Sequence, residues 1–213
     1  LKNKINTLRQ SGGTPLSGPS LNLEFLTSAA NLQGCPNDSE PEVALVGRSN
    51  AGKSSLLNGL SNSRVAKVSS TPGKTRLLNF FTSAKFRLVD MPGYGFSKRS
   101  GVEQNSWQAM IEPFLVQRPN LRGLLIVMDI RRDWSIEEQD LVAWIAPRQL
   151  GIAVALTKAD KLSRSEGLKR LGLIRMQSGV ENMFLTSSLK KTGYFEVEDY
   201  IYKNWIAKSG AGR

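Results

Sequence analysis

The 213-residue chain is 40% apolar and 22% charged, which reads as one soluble globular domain long enough to bury a sizeable core. Its 29 Lys and Arg against 18 Asp and Glu leave a net charge of +11 and favour polyanionic partners such as nucleic acid. With no histidine, one cysteine (Cys35) and no run near the ~18 apolar residues of a membrane span, the chain excludes His-based acid-base or metal chemistry, a Ser-His-Asp triad and an internal disulfide.

In chain order, Gln10 to Ser20 (QSGGTPLSGPS) is rich in Gly, Ser and Pro, so residues 1–20 are expected to form a flexible arm. Leu1 in place of Met is what a trimmed chain would show, which leaves an organellar form open beside the cytoplasmic location that a lone cysteine suits. One domain is expected over 21–208, with 209–213 as a tail. From Glu42 onward, apolar runs alternate with segments of helical length. Strands are expected at Val43 to Gly47, Leu77 to Thr82, Phe86 to Met91, Gly123 to Asp129, Ile152 to Lys158 and Met183 to Ser187. The near-continuous apolarity of the last three suits burial on both faces of a parallel sheet. Helices are expected at Lys53 to Leu60 and near Glu103 to Val116, Ile136 to Ile145, Ser165 to Met176 and Phe195 to Ala207, giving an α/β layered domain. Tyr194, Val197, Ile201 and Trp205 share helical spacing and are expected in the core. The basic residues Arg64, Lys67, Lys74, Arg76, Lys85 and Arg87 follow one another without an intervening acid, so this span is locally very positive.

The first of these strands runs into GRSNAGKS, Gly47 to Ser54, which matches GxxxxGK[ST] between a strand and a helix. Gly47 and Gly52 allow a tight turn whose N–H groups face phosphate oxygens, and the helix adds its positive end. Lys53 can neutralise β and γ oxygens, and the Ser54 hydroxyl can ligate Mg²⁺. Further on, DMPG (Asp90, Met91, Pro92, Gly93) ends a strand, with Gly93 offering a mobile N–H. TKAD (Thr157, Lys158, Ala159, Asp160) ends another. Asp160 can accept from guanine N1–H and the exocyclic amine, a pattern adenine lacks, while the Lys158 stem can cover the purine face. TSS (Thr186, Ser187, Ser188) closes the next strand, where a backbone N–H can meet the guanine carbonyl.

These residues resemble the EngB-type GTPases, an Era-like branch of the translation-factor-related GTPases. The likeness is carried by EFLTSA (Glu24 to Ala29), GRSNAGKSSLLN (Gly47 to Asn58), STPGKTRLLNFF (Ser70 to Phe81), LVDMPGYGFS (Leu88 to Ser97), LTKADKL (Leu156 to Leu162) and SSLKKTG (Ser187 to Gly193). It spans about Leu23 to Trp205 and leaves Leu1 to Ser20 unaddressed. It implies a Ras-like P-loop fold, a mostly parallel six-stranded sheet with one antiparallel strand and helices on both faces. It also implies a monomer without membrane attachment that binds GTP and GDP, hydrolyses GTP with Mg²⁺ and acts on the large ribosomal subunit or its precursor, both rRNA and ribosomal protein. An association with cell division is expected to be indirect.

Carried onto this chain, the resemblance places the nucleotide against Gly47, Arg48, Ser49, Asn50, Ala51, Gly52, Lys53, Ser54 and Ser55, then Gly73, Lys74, Thr75, Arg76 and Leu77, together with the DMPG, TKAD and TSS residues. Ser54 and Thr75 are the implied metal ligands, with Asp90 acting through water; Lys53, Thr75 and Gly93 are the implied catalytic groups. Thr71 is the alternative switch threonine, but a residue directly before Pro72 is biased towards extended backbone. Tyr94 stands where many GTPases place a catalytic glutamine, and a phenol cannot reproduce the paired donor and acceptor of an amide. A slow intrinsic GTPase is therefore expected, completed by a ribosomal partner or by K⁺ near Asn50. A guanine-nucleotide sensor without hydrolysis and an ATP-using P-loop enzyme are the competing readings, the second disfavoured by Asp160.

Overall fold

The computed structural model describes residues 21–61, 63–66, 77–94 and 101–207, the last with side chains from 107 onward. The elements are β1 (Glu24–Ala29), β2 (Glu42–Val46), α1 (Lys53–Ser61), β3 (Leu78–Thr82), β4 (Arg87–Asp90), α2 (Gly101–Gln117), β5 (Leu121–Asp129), α3 (Ile136–Ile145), β6 (Gly151–Thr157), α4 (Arg164–Ser178), β7 (Met183–Leu185) and α5 (Tyr194–Ile201). A π-helical turn, Tyr202–Ile206, extends α5.

The strands form one seven-stranded sheet in the order β1-β3-β4-β2-β5-β6-β7. Only β3 runs antiparallel to its neighbours, β1 and β4; the remaining pairs are parallel. The sheet thus has one strand more than the six expected. The extra strand, β1, is an edge strand in which Ala29 alone is buried, with Phe25 56% exposed. Ladder bonds to β3 and an edge contact between Phe25 and Phe81 hold it, so its sequence needs no apolar alternation.

Successive side chains of a strand point to opposite faces, and here each face has its own core. Ala44, Val46, Val89, Leu124, Ile126 and Val154 pack beneath α2, α3 and α4, against Ile111, Phe114, Leu141 and Ile174. Val43, Leu45, Leu88, Leu125, Val127 and Ala155 pack beneath α1 and α5, against Leu56, Leu60, Val197 and Ile201. The expected apolar stripe of the last helix is buried: Tyr194, Val197, Ile201 and Trp205 are each at most 5% exposed.

Trp205 sits on a floor made by register partners Gly123 of β5 and Gly151 of β6. A Cβ on Gly151 would stand 1.9 Å from the indole Nε1, and one on Gly123 2.4 Å from Cδ2. At the amino end of the sheet, away from the loops described below, the fully buried Glu42 takes two hydrogen bonds from Arg118 at 2.8 and 2.6 Å. Arg87 lies 3.7 Å from Glu42 and grips Asp38 with two more, at 2.8 and 2.7 Å. These contacts hold the amino ends of the strands whose carboxyl ends carry the motifs. Gly151→Ala is expected to displace the indole and lower stability by ~1–3 kcal/mol, read as a fall in the urea midpoint at unchanged slope.

Candidate guanine-nucleotide site

The loops that follow β2, β4, β6 and β7 meet at the carboxyl edge of the sheet, where open α/β sheets bind ligands. At Gly47 the chain leaves β2 so close to β5 that a Cβ would lie 2.2 Å from the Val127 carbonyl. Asn50 takes φ of 63° and Gly52 φ of 100°, both left-handed, the first tolerable for Asn and the second natural to Gly. The Ala51 N–H closes a turn on the Arg48 carbonyl at 3.0 Å, and α1 starts two residues later with Lys53, Ser54 and Ser55. The Lys53 side chain folds back so that Nζ donates to the Gly47 carbonyl at 3.3 Å. Burial lowers its pKa and the nearby Asp90 charge opposes that shift.

Asp90 ends β4 in register with Leu45 of β2, which places it beside this loop. It is 6% exposed, and its Oδ1 is buried without a hydrogen-bond partner among the described residues. Burial pushes its pKa up to about 6 against the pull of Lys53. An orphaned buried carboxylate oxygen suits a hard cation or the water such a cation carries. No cluster of three or more His, Cys, Asp or Glu exists among the described residues, and a Mg²⁺ site built from one carboxylate, a hydroxyl and phosphates needs none.

Beyond Asp90, the Met91 side chain is fully buried in the core. The Pro92 carbonyl accepts from Trp107 Nε1 at 2.8 Å. A Cβ on Gly93 would lie 2.9 Å from Ser49 Oγ. Tyr94 is 4% exposed; its hydroxyl donates to Glu138 at 2.6 Å and its carbonyl accepts from the Ser49 N–H at 3.2 Å. Glu138 accepts in turn from the Ser135 backbone and hydroxyl, and Arg48 pairs with Glu137 at 3.0 Å. Burial and the Glu138 carboxylate raise the Tyr94 pKa far above the usual phenol range. Tyr94 is thus a neutral, fixed packing residue rather than a group free to hold a water.

The base-reading segment is fastened to the same loop. The Thr157 hydroxyl donates to the Ala51 carbonyl and lies 3.1 Å from the Met128 carbonyl. Lys158, left-handed at φ of 57°, sends Nζ to the Asn50 carbonyl at 2.8 Å and to Asp129 at 3.0 Å. The Ala159 N–H donates to the Thr186 carbonyl at 3.1 Å. The Ser187 hydroxyl donates to Asp160 Oδ1 at 2.6 Å and holds that carboxyl below its ordinary pKa. The Thr186 and Ser187 amides are already used, by the Leu156 and Thr192 carbonyls, which narrows the expected carbonyl-reading amide to Ser188. Ser188, Thr157, Lys158, Gly52 and Ser55 line one cleft.

The structure therefore brings GRSNAGKS, Asp90, Gly93, TKAD and TSS to one edge, while Leu77, just before β3, is 39% exposed. Gly73, Lys74, Thr75 and Arg76, like Thr71, lie outside the described residues. Asp129 and Glu138 stand in the site without having been expected there. A carboxylate ending an inner strand of a parallel sheet was a usable signal for Asp129. For Glu138, on a helix 44 residues from Tyr94, the sequence carries none.

Residues 42–158 match the family model described as 50S ribosome-binding GTPase. A probable GTP-binding protein EngB of Bdellovibrio bacteriovorus is 52% identical over 185 residues, covering 86% of this chain and 92% of that protein. The chain belongs to the EngB family of GTP-binding proteins. Its relative in Pelotomaculum thermopropionicum is 43% identical over 89% of this chain and 98% of that protein. Among solved structures, Aquifex aeolicus Era bound to GDP and AlF4⁻ superposes with a TM-score of 0.64 at 24% identity, covering 77% of this chain and 56% of that one. A probable GTP-binding protein engB superposes with 0.63 at 19%, covering 76% and 97%. At these identities the superpositions establish the fold alone, the Ras-like P-loop class expected from the EngB-type motifs.

The Asp90 pKa has a consequence for stability. Its folded value of about 6 exceeds the roughly 3.9 of an unfolded Asp, so the nucleotide-free native state binds an extra proton between those pH values. Charged Asp90 therefore costs stability above pH ~6, and the cost disappears as pH falls to ~4. Asp90→Asn is expected to gain up to ~3 kcal/mol over the parent above pH 6, a gap that closes by pH 4 in paired urea titrations.

Proposed function

We propose that this EngB family member is a GTP-hydrolysing switch that assists assembly of the large ribosomal subunit. The observation that carries the nucleotide part is the joining of a phosphate loop to a guanine-type carboxylate, Asp160, through Thr157 and Lys158. The Asn50 amide, the amides from Gly52 to Ser55 at the start of α1, and the Lys53 ammonium receive the phosphates. Asp160 takes the base edge and the Ser188 amide its carbonyl. Asp160 disfavours adenine, which offers an amine where Asp160 would need two adjacent donors.

The ribosomal part is supported by the family description, which names 50S binding, and by the +11 charge. Era has been solved with MgGDPNP and nucleotides 1506–1542 of 16S ribosomal RNA, which is a property of that protein. Growth or division defects on loss of the protein would be secondary to ribosome assembly.

Phosphoryl transfer asks a protein for positioning and charge stabilisation. Ser54 and Thr75 are the residues proposed to hold Mg²⁺, with Asp90 acting through a water; the ion, when bound, would neutralise β- and γ-phosphate oxygens. Lys53 adds positive charge to the same oxygens. Gly93, lying against Ser49, registers whether a γ-phosphate is present. Tyr94 cannot swing to the attacking water while its ring is buried and its hydroxyl engaged by Glu138. The water-orienting group is therefore supplied from outside the described residues, by the ribosomal partner or by K⁺ near Asn50. The fixed Tyr94 equally favours a second reading, a guanine-nucleotide sensor without useful hydrolysis.

Single-turnover phosphate release from bound GTP separates the two. A slow rate in Na⁺ that rises tenfold or more with K⁺ or large subunits is expected. No release under any of these conditions would establish the sensor, and fast release in Na⁺ alone would refute the missing-element model.

A further inference from the structure

We infer that Asp129 is a positioning residue for guanine-nucleotide affinity, acting through Lys158; this rests on the guanine-nucleotide reading above. Lys158 must lay its flexible stem along the purine while its ammonium stays fixed, and a four-carbon chain left free would lose that arrangement to rotamer entropy. Two acceptors fix it here. The Asn50 carbonyl takes Nζ at 2.8 Å from the phosphate loop, and Asp129 Oδ2 takes it at 3.0 Å from the end of β5.

Asp129 is suited to this task. It is 5% exposed, and β5 pairs it in register with Thr157, the residue immediately before Lys158. The Ile130 N–H binds the Thr157 carbonyl at 3.1 Å, so the end of β5 is bonded directly to the TKAD segment. Arg131 grips both Asp129 oxygens, Nε to Oδ1 at 2.9 Å and NH2 to Oδ2 at 2.7 Å, and its backbone N–H reaches Oδ1 at 3.1 Å. The carboxylate therefore cannot turn away from Lys158. Burial opposes its ionisation, yet the bonds from Arg131 and Lys158 hold its pKa well below the usual carboxylate range, so the tether is charged at every working pH.

An Asp129 that acts through Lys158 has a signature that a merely structural residue lacks. Asp129→Asn keeps the volume and an acceptor for Arg131 but removes the charge facing the ammonium. Fluorescent GDP and a non-hydrolysable GTP analogue are titrated onto the parent, Asp129→Asn, Lys158→Met and the double variant, each checked for folding by circular dichroism. The expected result is a loss of about tenfold in affinity for both nucleotides with their ratio unchanged, through faster dissociation. In the Lys158→Met background the same change is expected to cost less than twofold. Equal losses in both backgrounds, or no loss in the parent, would overturn the inference. If Asp129→Asn does not fold, Asp129→Glu carries the same comparison, with a smaller loss in the parent and none beside Lys158→Met. A parent that binds neither nucleotide refutes the guanine reading itself, a result distinct from any pattern among the variants.

Discussion

The site depends on one crossing. The Thr157 hydroxyl on the Ala51 carbonyl and the Lys158 ammonium on the Asn50 carbonyl join loops that lie 106 and 108 residues apart in the chain. Either loop alone is common: a glycine-rich turn before a helix, or an Asp after a strand. Joined, they fix the distance between the phosphate end and the base end of a nucleotide before any ligand arrives. That saves ordering entropy on binding. The short Thr side chain performs this join because Gly52 leaves room for it: a Cβ at Gly52 would stand 3.3 Å from the Thr157 hydroxyl.

The sheet makes the crossing possible. The parallel strands β2, β4, β5, β6 and β7 all point their carboxyl ends at the same edge, so motifs scattered over Gly47 to Ser188 converge without long loops. The ion cluster around Glu42 and the Trp205 floor on Gly123 and Gly151 lock the framework behind them. Beyond β4, the described residues Met91 to Tyr94 are held by contacts outside the named strands. There Gly93 and Tyr94 lie on Ser49, while Trp107 and Glu138 tie them to α2 and α3. A movement of this segment on γ-phosphate binding would be felt by both helices.

Much of this was legible in the residues. Period and apolarity located six strands and five helices, because β2, β5 and β6 are buried on both faces and α5 presents a clear apolar stripe. β1 was not legible as a strand, since backbone pairing rather than side-chain burial holds it at an edge. Spacing identified the phosphate loop, Asp90 and Asp160. It could not tell that Met91 turns inward, that the Thr186 and Ser187 amides are already taken, or that Tyr94 is held by Glu138. Each of those facts arises from tertiary contacts between segments whose separation in sequence carries no local pattern. The run of bases from Arg64 is similar: Arg87 is spent on Asp38 inside the fold, and Lys85 lies 4.6 Å over the Tyr202 ring, so net charge overstates the surface free to meet RNA.

The central claim is that the nucleotide state controls engagement of the ribosome. Co-sedimentation of the protein with large ribosomal subunits, in GDP and in a non-hydrolysable GTP analogue at matched ionic strength, tests it most directly. The account predicts that the protein travels with the subunit in the GTP analogue and is largely released in GDP. Equal binding in both states would contradict it.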